Sequence, residues 1–209
     1  MIKLVIFDCD GVLFDSKDAN ISFYNTILSQ LQLPPMTQDE VEYVHVSTAE
    51  EALRYILDRR NPYLLDKALE YRREMDYTPF IHLMRMEPHL KELLTSLPTD
   101  IERAVSTNRT YTIGDVLRIH GLDGEFSLVV SALDVENPKP HPDSIMKILH
   151  YFSIFPSEAL FVGDSGVDQV SAQRAQVIFV AYKNRSLNAD YHIDDLLHIR
   201  EIIDWRKKG

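Results

Sequence analysis

The stretch VIFDCDGVLFDS, residues 5–16, combines a short apolar run with three aspartates that follow it closely. Side chains alternate between the two faces of an extended chain, so Asp8 and Asp10 point to the same side and Cys9 points away. Two adjacent carboxylates repel each other unless a cation pairs with them, and Mg²⁺ prefers carboxylate, carbonyl and water oxygens. The stretch therefore predicts a buried strand that ends in a Mg²⁺ site, because ligands bind at strand ends in open α/β sheets. Taken alone, DxDG is more typical of a surface turn in which Asp and Gly merely end a strand.

The composition indicates a globular protein without a nucleic-acid or membrane partner. The chain has 209 residues, 45% of them hydrophobic, which suits one large domain or one domain with an insertion. Its net charge of -10 argues against a broad surface for nucleic acid or anionic lipid. A single cysteine excludes an intrachain disulfide and suits a reducing compartment. The first apolar run reaches Asp8 too soon for a signal peptide, and no stretch approaches the roughly 18 apolar residues that span a bilayer. We therefore expect a soluble cytoplasmic protein.

Short apolar runs alternate with helical patterns along most of the chain. The runs are KLVIF (3–7), RAVS (103–106), SLVV (127–130), ALFV (159–162) and VIFVA (177–181). They are typical of buried strands in a parallel sheet. Between the second and third runs, TYTIGDVLRIHG has a helical period and stops at Gly121. The alternation predicts a doubly wound α/β core.

One interval breaks this rhythm, because nearly a hundred residues separate the first two runs. A single crossover helix needs far fewer. The interval contains helical patterns instead: a stripe formed by Ile21, Tyr24, Leu28 and Leu31, the segment STAEEALRYIL with Ser47 and Glu50 spaced as a capping box, and PYLLDKALEYRREM. We therefore predict a helical insertion at residues 17–86 and a core formed by residues 1–16 and 87–209. Pro88 is expected to open the helix EPHLKELLTSL.

Three further junctions between a predicted strand and the following helix carry polar residues, as the end of the first strand does. FVGDSGVDQ provides Asp164 and Asp168, STNRT provides Thr107 and Asn108, and ENPKPHPDS holds Lys139 between prolines. Separately, the first two are typical of helix N-caps and the third of a solvated lysine. Four consecutive junctions that supply carboxylates, a hydroxyl and an ammonium are together what a phosphate dianion with Mg²⁺ requires.

The ordered set DCDGVLFDS, STN, the lysine of NPKPHP and GDSGVD resembles the four motifs of the haloacid dehalogenase superfamily. Within it, the chain is similar to the branch of phosphoglycolate phosphatases and β-phosphoglucomutases, which implies a Rossmann-like core with a helical cap. The resemblance implies that Asp8 is the nucleophile and that Asp10 acts as general acid and then general base. It also implies Mg²⁺ bound by Asp8, the main-chain carbonyl of Asp10 and Asp164, with Asp168 as a further ligand or as a group that orients metal-bound water.

The same resemblance implies that Thr107, Asn108 and Lys139 contact the substrate phosphate, with weaker candidates in Gly11 and Ser165. The expected activity is hydrolysis of a small phosphorylated metabolite, since true dehalogenases and phosphonatases lack the acid at position 10. The alternatives are a phosphomutase with the same Asp8 and Asp10, and a binding protein of this fold without turnover. The physiological substrate and the oligomeric state are not predicted.

Two positions depart from the family pattern. Gln176 follows Ala175 where an Ala-Gly pair is usual, and His89 follows Pro88 where a Pro-Gly pair is usual. We expect them to alter local turns and not catalysis.

Overall fold

The chain folds into two compact units. The computed structural model describes residues 1–45 and 49–208. One unit comprises Met1–Asp15 and Arg85–Gly209, and the other comprises Ser16–Met84. The predicted capping box depends on Ser47, which lies outside the described residues.

The larger unit contains a six-stranded parallel sheet in the order β5-β4-β1-β6-β7-β8. In chain order the strands are β1 (Leu4–Phe7), β2 (Phe14–Asp15), β3 (Arg85–Met86), β4 (Glu102–Ser106), β5 (Leu128–Val130), β6 (Ala159–Gly163), β7 (Ile178–Tyr182) and β8 (Tyr191–Ile193). The five apolar runs are all strands of this sheet, as predicted. The structure adds β8 at one edge, and β2 and β3 as a short antiparallel pair.

The first strand occupies the middle of the sheet. All four residues of β1 are fully buried, because β4 and β6 flank the strand and layers of apolar side chains cover the sheet. Phe7 is in register with Val105 of β4 and with Val162 of β6. The carboxyl ends of three neighbouring parallel strands therefore meet at one edge of the sheet.

The smaller unit is helical. Its helices are α1 (Lys17–Gln30), α2 (Gln38–His45), α3 (Ala49–Asp58), α4 (Leu65–Glu74) and α5 (Thr78–Ile81), with a short 3-10 segment at Pro62–Leu64. Its apolar core includes Ile27 and Leu28 of α1 and Leu53 and Ile56 of α3, all fully buried. Amphipathic helices thus bury their apolar faces against one another.

The helices of the larger unit lie between its strands along the chain, except for the last helix, which follows β8. They are α6 (Leu90–Ser96), α7 (Ile113–Ile119), α8 (Asp143–Phe152), α9 (Gly166–Ala175) and α10 (His198–Lys208), with 3-10 segments at Ala132–Asp134 and Pro156–Glu158. Among all helices in the described part of the chain, none has both the length and the hydrophobicity to cross a membrane.

Both departures from the family pattern adopt backbone conformations that favour glycine. His89 has φ of 62° and Gln176 has φ of 58°, in the left-handed region. The prediction that Pro88 opens a helix is wrong, because a left-handed residue at 89 cannot continue a right-handed helix and α6 begins at Leu90. Gln176 ends α9 in the position where a glycine is common.

Candidate active site

The polar residues of the four predicted motifs meet at the carboxyl edge of the sheet. Asp8 directly follows β1, Thr107 follows β4 and Asp164 follows β6. Lys139 comes from the loop before α8, and its ammonium reaches the end of β1. The parallel order of the strands thus brings together side chains that lie far apart in the sequence.

Lys139 is the central cation of this cluster. Its buried Nζ donates hydrogen bonds to Oδ1 of Asp8 at 2.7 Å, to Oδ1 of Asp168 at 2.6 Å and to the carbonyl oxygen of Ser106 at 3.0 Å. Burial alone would lower the pKa of Lys139, but the charges of Asp168 and Asp8 outweigh burial and raise it above its usual range. The side chain is therefore a fixed positive charge beside the first aspartate.

Three carboxylates form a compact acidic group at this point. Asp8, Asp164 and Asp168 each offer an oxygen atom within 4.8 Å of the others. Burial raises the pKa of Asp8 to about 7 against the opposing charge of Lys139, and burial with the neighbouring charge of Asp8 raises the pKa of Asp164 to about 8. Hard oxygen donors that repel one another when ionised fit a divalent cation such as Mg²⁺.

Asp168 also caps a helix. It occupies the third position of α9, where Oδ2 accepts from the main-chain N–H of Ser165 at 3.2 Å and from the Ser165 hydroxyl. Its other oxygen, Oδ1, accepts from Lys139. The capping interpretation of GDSGVD is therefore correct for this residue, and its role in the site stays a prediction.

Gly11 allows Asp164 to approach the first strand end. Its φ is +79°, and a Cβ built on it would lie 1.9 Å from Oδ2 of Asp164. Any side chain at this position would therefore displace the carboxylate. Gly11 therefore contributes to the site because the absence of a side chain leaves room for the carboxylate of Asp164.

Thr107 and Asn108 hold different parts of the site. Oγ1 of Thr107 accepts the main-chain N–H of Arg109 at 3.0 Å, so the hydroxyl hydrogen remains to be donated elsewhere. The amide of Asn108 donates to the carbonyl of Lys139 at 2.9 Å and accepts from its N–H at 3.0 Å. Asn108 therefore fixes the loop that carries the lysine, and its side chain is already used.

Arg109 is a site residue that the sequence analysis missed. Its Nε donates to Oδ2 of Asp10 at 2.8 Å and its Nη2 donates to Oδ1 at 2.6 Å, so the guanidinium binds the carboxylate with two parallel bonds. The Arg109 side chain is only 9% exposed, against 34% for Asp10. Its position directly after Thr107 and Asn108 at a strand end was the available signal.

The fold and this set of residues define a class of hydrolase. The family model described as haloacid dehalogenase-like hydrolase matches residues 5–182. The chain therefore belongs to the haloacid dehalogenase-like hydrolases.

Individual relatives cover almost the whole chain. Pyrophosphatase PpaX of Oceanobacillus iheyensis is 26% identical, with 97% of each chain covered. The crystal structure of a haloacid dehalogenase superfamily hydrolase, subfamily IA, variant 1, from Geobacter sulfurreducens is 38% identical with a TM-score of 0.83, covering 97% of this chain and 96% of that one. That of a predicted phosphoglycolate phosphatase from Haemophilus somnus is 25% identical with a TM-score of 0.83, covering 97% and 98%.

Proposed function

We propose that the protein is a Mg²⁺-dependent phosphatase that hydrolyses a small phosphorylated metabolite through an aspartyl-phosphate on Asp8. The observation that carries the proposal is the carboxylate of Asp8 at the end of the central strand, bonded to the buried ammonium of Lys139 and grouped with Asp164. A nucleophilic carboxylate needs a neighbouring cation that offsets repulsion from a phosphate dianion, and Lys139 supplies it.

The residues present fit a Mg²⁺ ion. We assign its binding to the side chains of Asp8 and Asp164 and to the main-chain carbonyl of Asp10, with Asp168 as a further ligand or as an acceptor for a metal-bound water. When bound, the ion would neutralise charge on the transferring phosphoryl group.

In the first step, a carboxylate oxygen of Asp8 attacks phosphorus in line with the leaving oxygen. The bond between phosphorus and that oxygen breaks, and Asp10 gives the oxygen a proton. The hydroxyl of Thr107 donates a hydrogen bond to a phosphoryl oxygen, and the charge of Lys139, which stays bonded to Asp8, offsets negative charge on the transferring group. Because the side chain of Asn108 is committed to the lysine loop, we assign any contact of Asn108 with phosphate to its main-chain N–H.

In the second step, water attacks phosphorus and the acyl-phosphate bond to Asp8 breaks. Asp10, now a carboxylate, takes a proton from that water. Inorganic phosphate leaves and Asp8 returns to its starting state. Asp8 and Asp10 thus perform separate roles.

We assign the helical insertion at residues 17–86 the role of a cap that restricts the reaction to small substrates, with catalysis in the core of residues 1–16 and 87–209. The insertion lies between the first and second motifs of the sequence. The acidic net charge of -10 and the single cysteine support a small-molecule reaction in the cytoplasm, without nucleic acid or membrane. Pyrophosphate and phosphoglycolate are the substrates that the names of the relatives suggest.

The test is phosphate release from pyrophosphate, phosphoglycolate, a hexose phosphate and a nucleotide, with and without Mg²⁺. Wild type is compared with Asp8→Asn and with Asp123→Asn, which changes an exposed aspartate of the same unit. We expect Mg²⁺-dependent release by wild type and by Asp123→Asn, and none by a folded Asp8→Asn. Isomerised sugar phosphate without release would indicate a phosphomutase, and no turnover of any compound would indicate a binding protein.

A further inference from the structure

We propose that Arg109 binds the leaving group of the reaction, and that the site therefore prefers substrates whose leaving group is itself a phosphate, as in inorganic pyrophosphate. The inference rests on the proposed function and names its substrate class. It depends on the position of one guanidinium beside the proposed proton donor.

Arg109 is held firmly by its main chain and its side chain. Its N–H donates to Thr107, and its carbonyl accepts the N–H of Ala132 at 3.1 Å. Its Nη1 donates to Oγ1 of Thr112 at 3.3 Å, while Nε and Nη2 bind Asp10. A planar guanidinium fixed in this way is a built anion site and not a mobile surface charge.

The hydrogen bonds of Asp10 place this guanidinium next to the leaving oxygen. In the proposed reaction Asp10 must come within hydrogen-bond distance of that oxygen to protonate it. Both oxygens of Asp10 are bonded to Arg109 in the structure. One of those oxygens must turn to the leaving group during the reaction, so the pair of parallel bonds to Arg109 then opens on the side of the leaving oxygen.

An anionic leaving group can take the place of that oxygen beside the guanidinium. The oxygens of a departing phosphate can accept two parallel N–H bonds from a guanidinium, as the carboxylate of Asp10 does here. A neutral alcohol carries no charge to stabilise and offers a weaker acceptor. Arg109 therefore stabilises the departure of phosphate more than the departure of a sugar or glycolate hydroxyl.

The test compares two substrates whose leaving groups have similar acidity, so that both need similar help from Asp10. Pyrophosphate releases phosphate, and p-nitrophenyl phosphate releases an aromatic phenolate that lacks phosphate oxygens. In Arg109→Gln we expect kcat/KM for pyrophosphate to fall about 10- to 100-fold further than kcat/KM for p-nitrophenyl phosphate. Arg109→Lys keeps the charge but loses the paired N–H donors of the guanidinium. Its ratio of kcat/KM for pyrophosphate to kcat/KM for p-nitrophenyl phosphate should therefore lie between those of wild type and Arg109→Gln.

The ratio of the two activities does not depend on how much of a variant is folded. Arg118→Gln, at a 68% exposed arginine of α7, is the control and should leave that ratio unchanged. Equal losses for both substrates would overturn the inference, since Arg109 would then only position Asp10. Wild-type kcat/KM for both substrates in Arg109→Gln would overturn the inference as well.

A binding measurement tests the same point without turnover. Calorimetry with excess Mg²⁺ compares imidodiphosphate, a pyrophosphate analogue, with inorganic phosphate in Asp8→Asn and in Asp8→Asn combined with Arg109→Gln. We expect Arg109→Gln to weaken imidodiphosphate binding at least about tenfold more than phosphate binding. If wild type hydrolyses p-nitrophenyl phosphate but not pyrophosphate, the phosphatase stands and this inference fails. If it hydrolyses neither of these substrates nor phosphoglycolate, the hexose phosphate or the nucleotide, the proposed function fails. Equal weakening of both anions would separately overturn the role of Arg109.

Discussion

Gly11→Ala should displace Asp164, and Gly124 offers a matched control. The two glycines have nearly the same backbone conformation, with φ of +79° and +78°. Alanine at either position should cost about 1–2 kcal/mol of the free energy of unfolding, because a side chain is strained in the left-handed region. Only at Gly11 would the new Cβ meet another group, with Oδ2 of Asp164 at 1.9 Å and its Cγ at 2.5 Å, whereas no atom lies within 4 Å at Gly124. The clash should add about 1–3 kcal/mol.

The assay is urea unfolding of Gly11→Ala and Gly124→Ala without metal, followed by the shift in melting temperature on adding Mg²⁺. We expect a loss of about 1–2 kcal/mol for Gly124→Ala and about 2–5 kcal/mol for Gly11→Ala. The Mg²⁺-induced shift should stay at the wild-type value in Gly124→Ala and disappear in Gly11→Ala, since the displaced carboxylate is a proposed ligand. Equal destabilisation of the two variants with the same Mg²⁺ response would refute this account of Gly11.

Two further predictions concern the acidic group and the end of α9. The pKa of Asp164 is raised from 3.8 to about 8, so the folded protein binds this proton more tightly than the unfolded chain does; its contribution to stability is present below about pH 4 and is lost as pH rises to 8. Without metal, the free energy of unfolding of Asp164→Asn should therefore rise relative to that of wild type between about pH 5 and pH 8. The variant should also lose the response to Mg²⁺. A constant difference in unfolding free energy between variant and wild type across this pH range would contradict the assignment. Gln176→Gly should raise the free energy of unfolding by about 0.5–1 kcal/mol, and the melting temperature by about 1–4 °C, by relieving the φ of 58°; a lower melting temperature would contradict this.

The strands that could be predicted from the sequence are those whose two faces are both buried. The central strands are covered on each side, so they appear as uninterrupted apolar runs such as LVIF and ALFVG. The edge strand β8 has the sequence YHI, with two half-buried residues, and β2 and β3 have two residues each. Segments this short and mixed carry no periodic signal.

Apart from Arg109, the residues that meet at the site could be named from the sequence, but the hydrogen bonds between them could not. Strand order brings the ends of β1, β4 and β6 together, which is why Asp8, Thr107 and Asp164 could be grouped from the sequence. The bonds between Arg109 and Asp10 join residues 99 positions apart, and no spacing rule specifies them. Such contacts depend on side-chain directions at the ends of different strands, which appear only when the register of the sheet is known.

The balance of charge at the strand ends favours the binding of a cation. Four carboxylates lie at the carboxyl edge of the sheet and two basic side chains bind them, which leaves two negative charges: the acids are Asp8, Asp10, Asp164 and Asp168, and the bases are Lys139 and Arg109. Without metal the excess can be reduced only by protonation, and the pKa values of about 7 and 8 at two of the acids express that tendency. A divalent cation would remove the same excess without a proton, and so would keep the proposed nucleophile Asp8 ionised at neutral pH. In the proposed reaction a phosphate dianion would then meet a site that is close to neutral, with positive groups near the phosphoryl oxygens and the leaving oxygen, where charge develops.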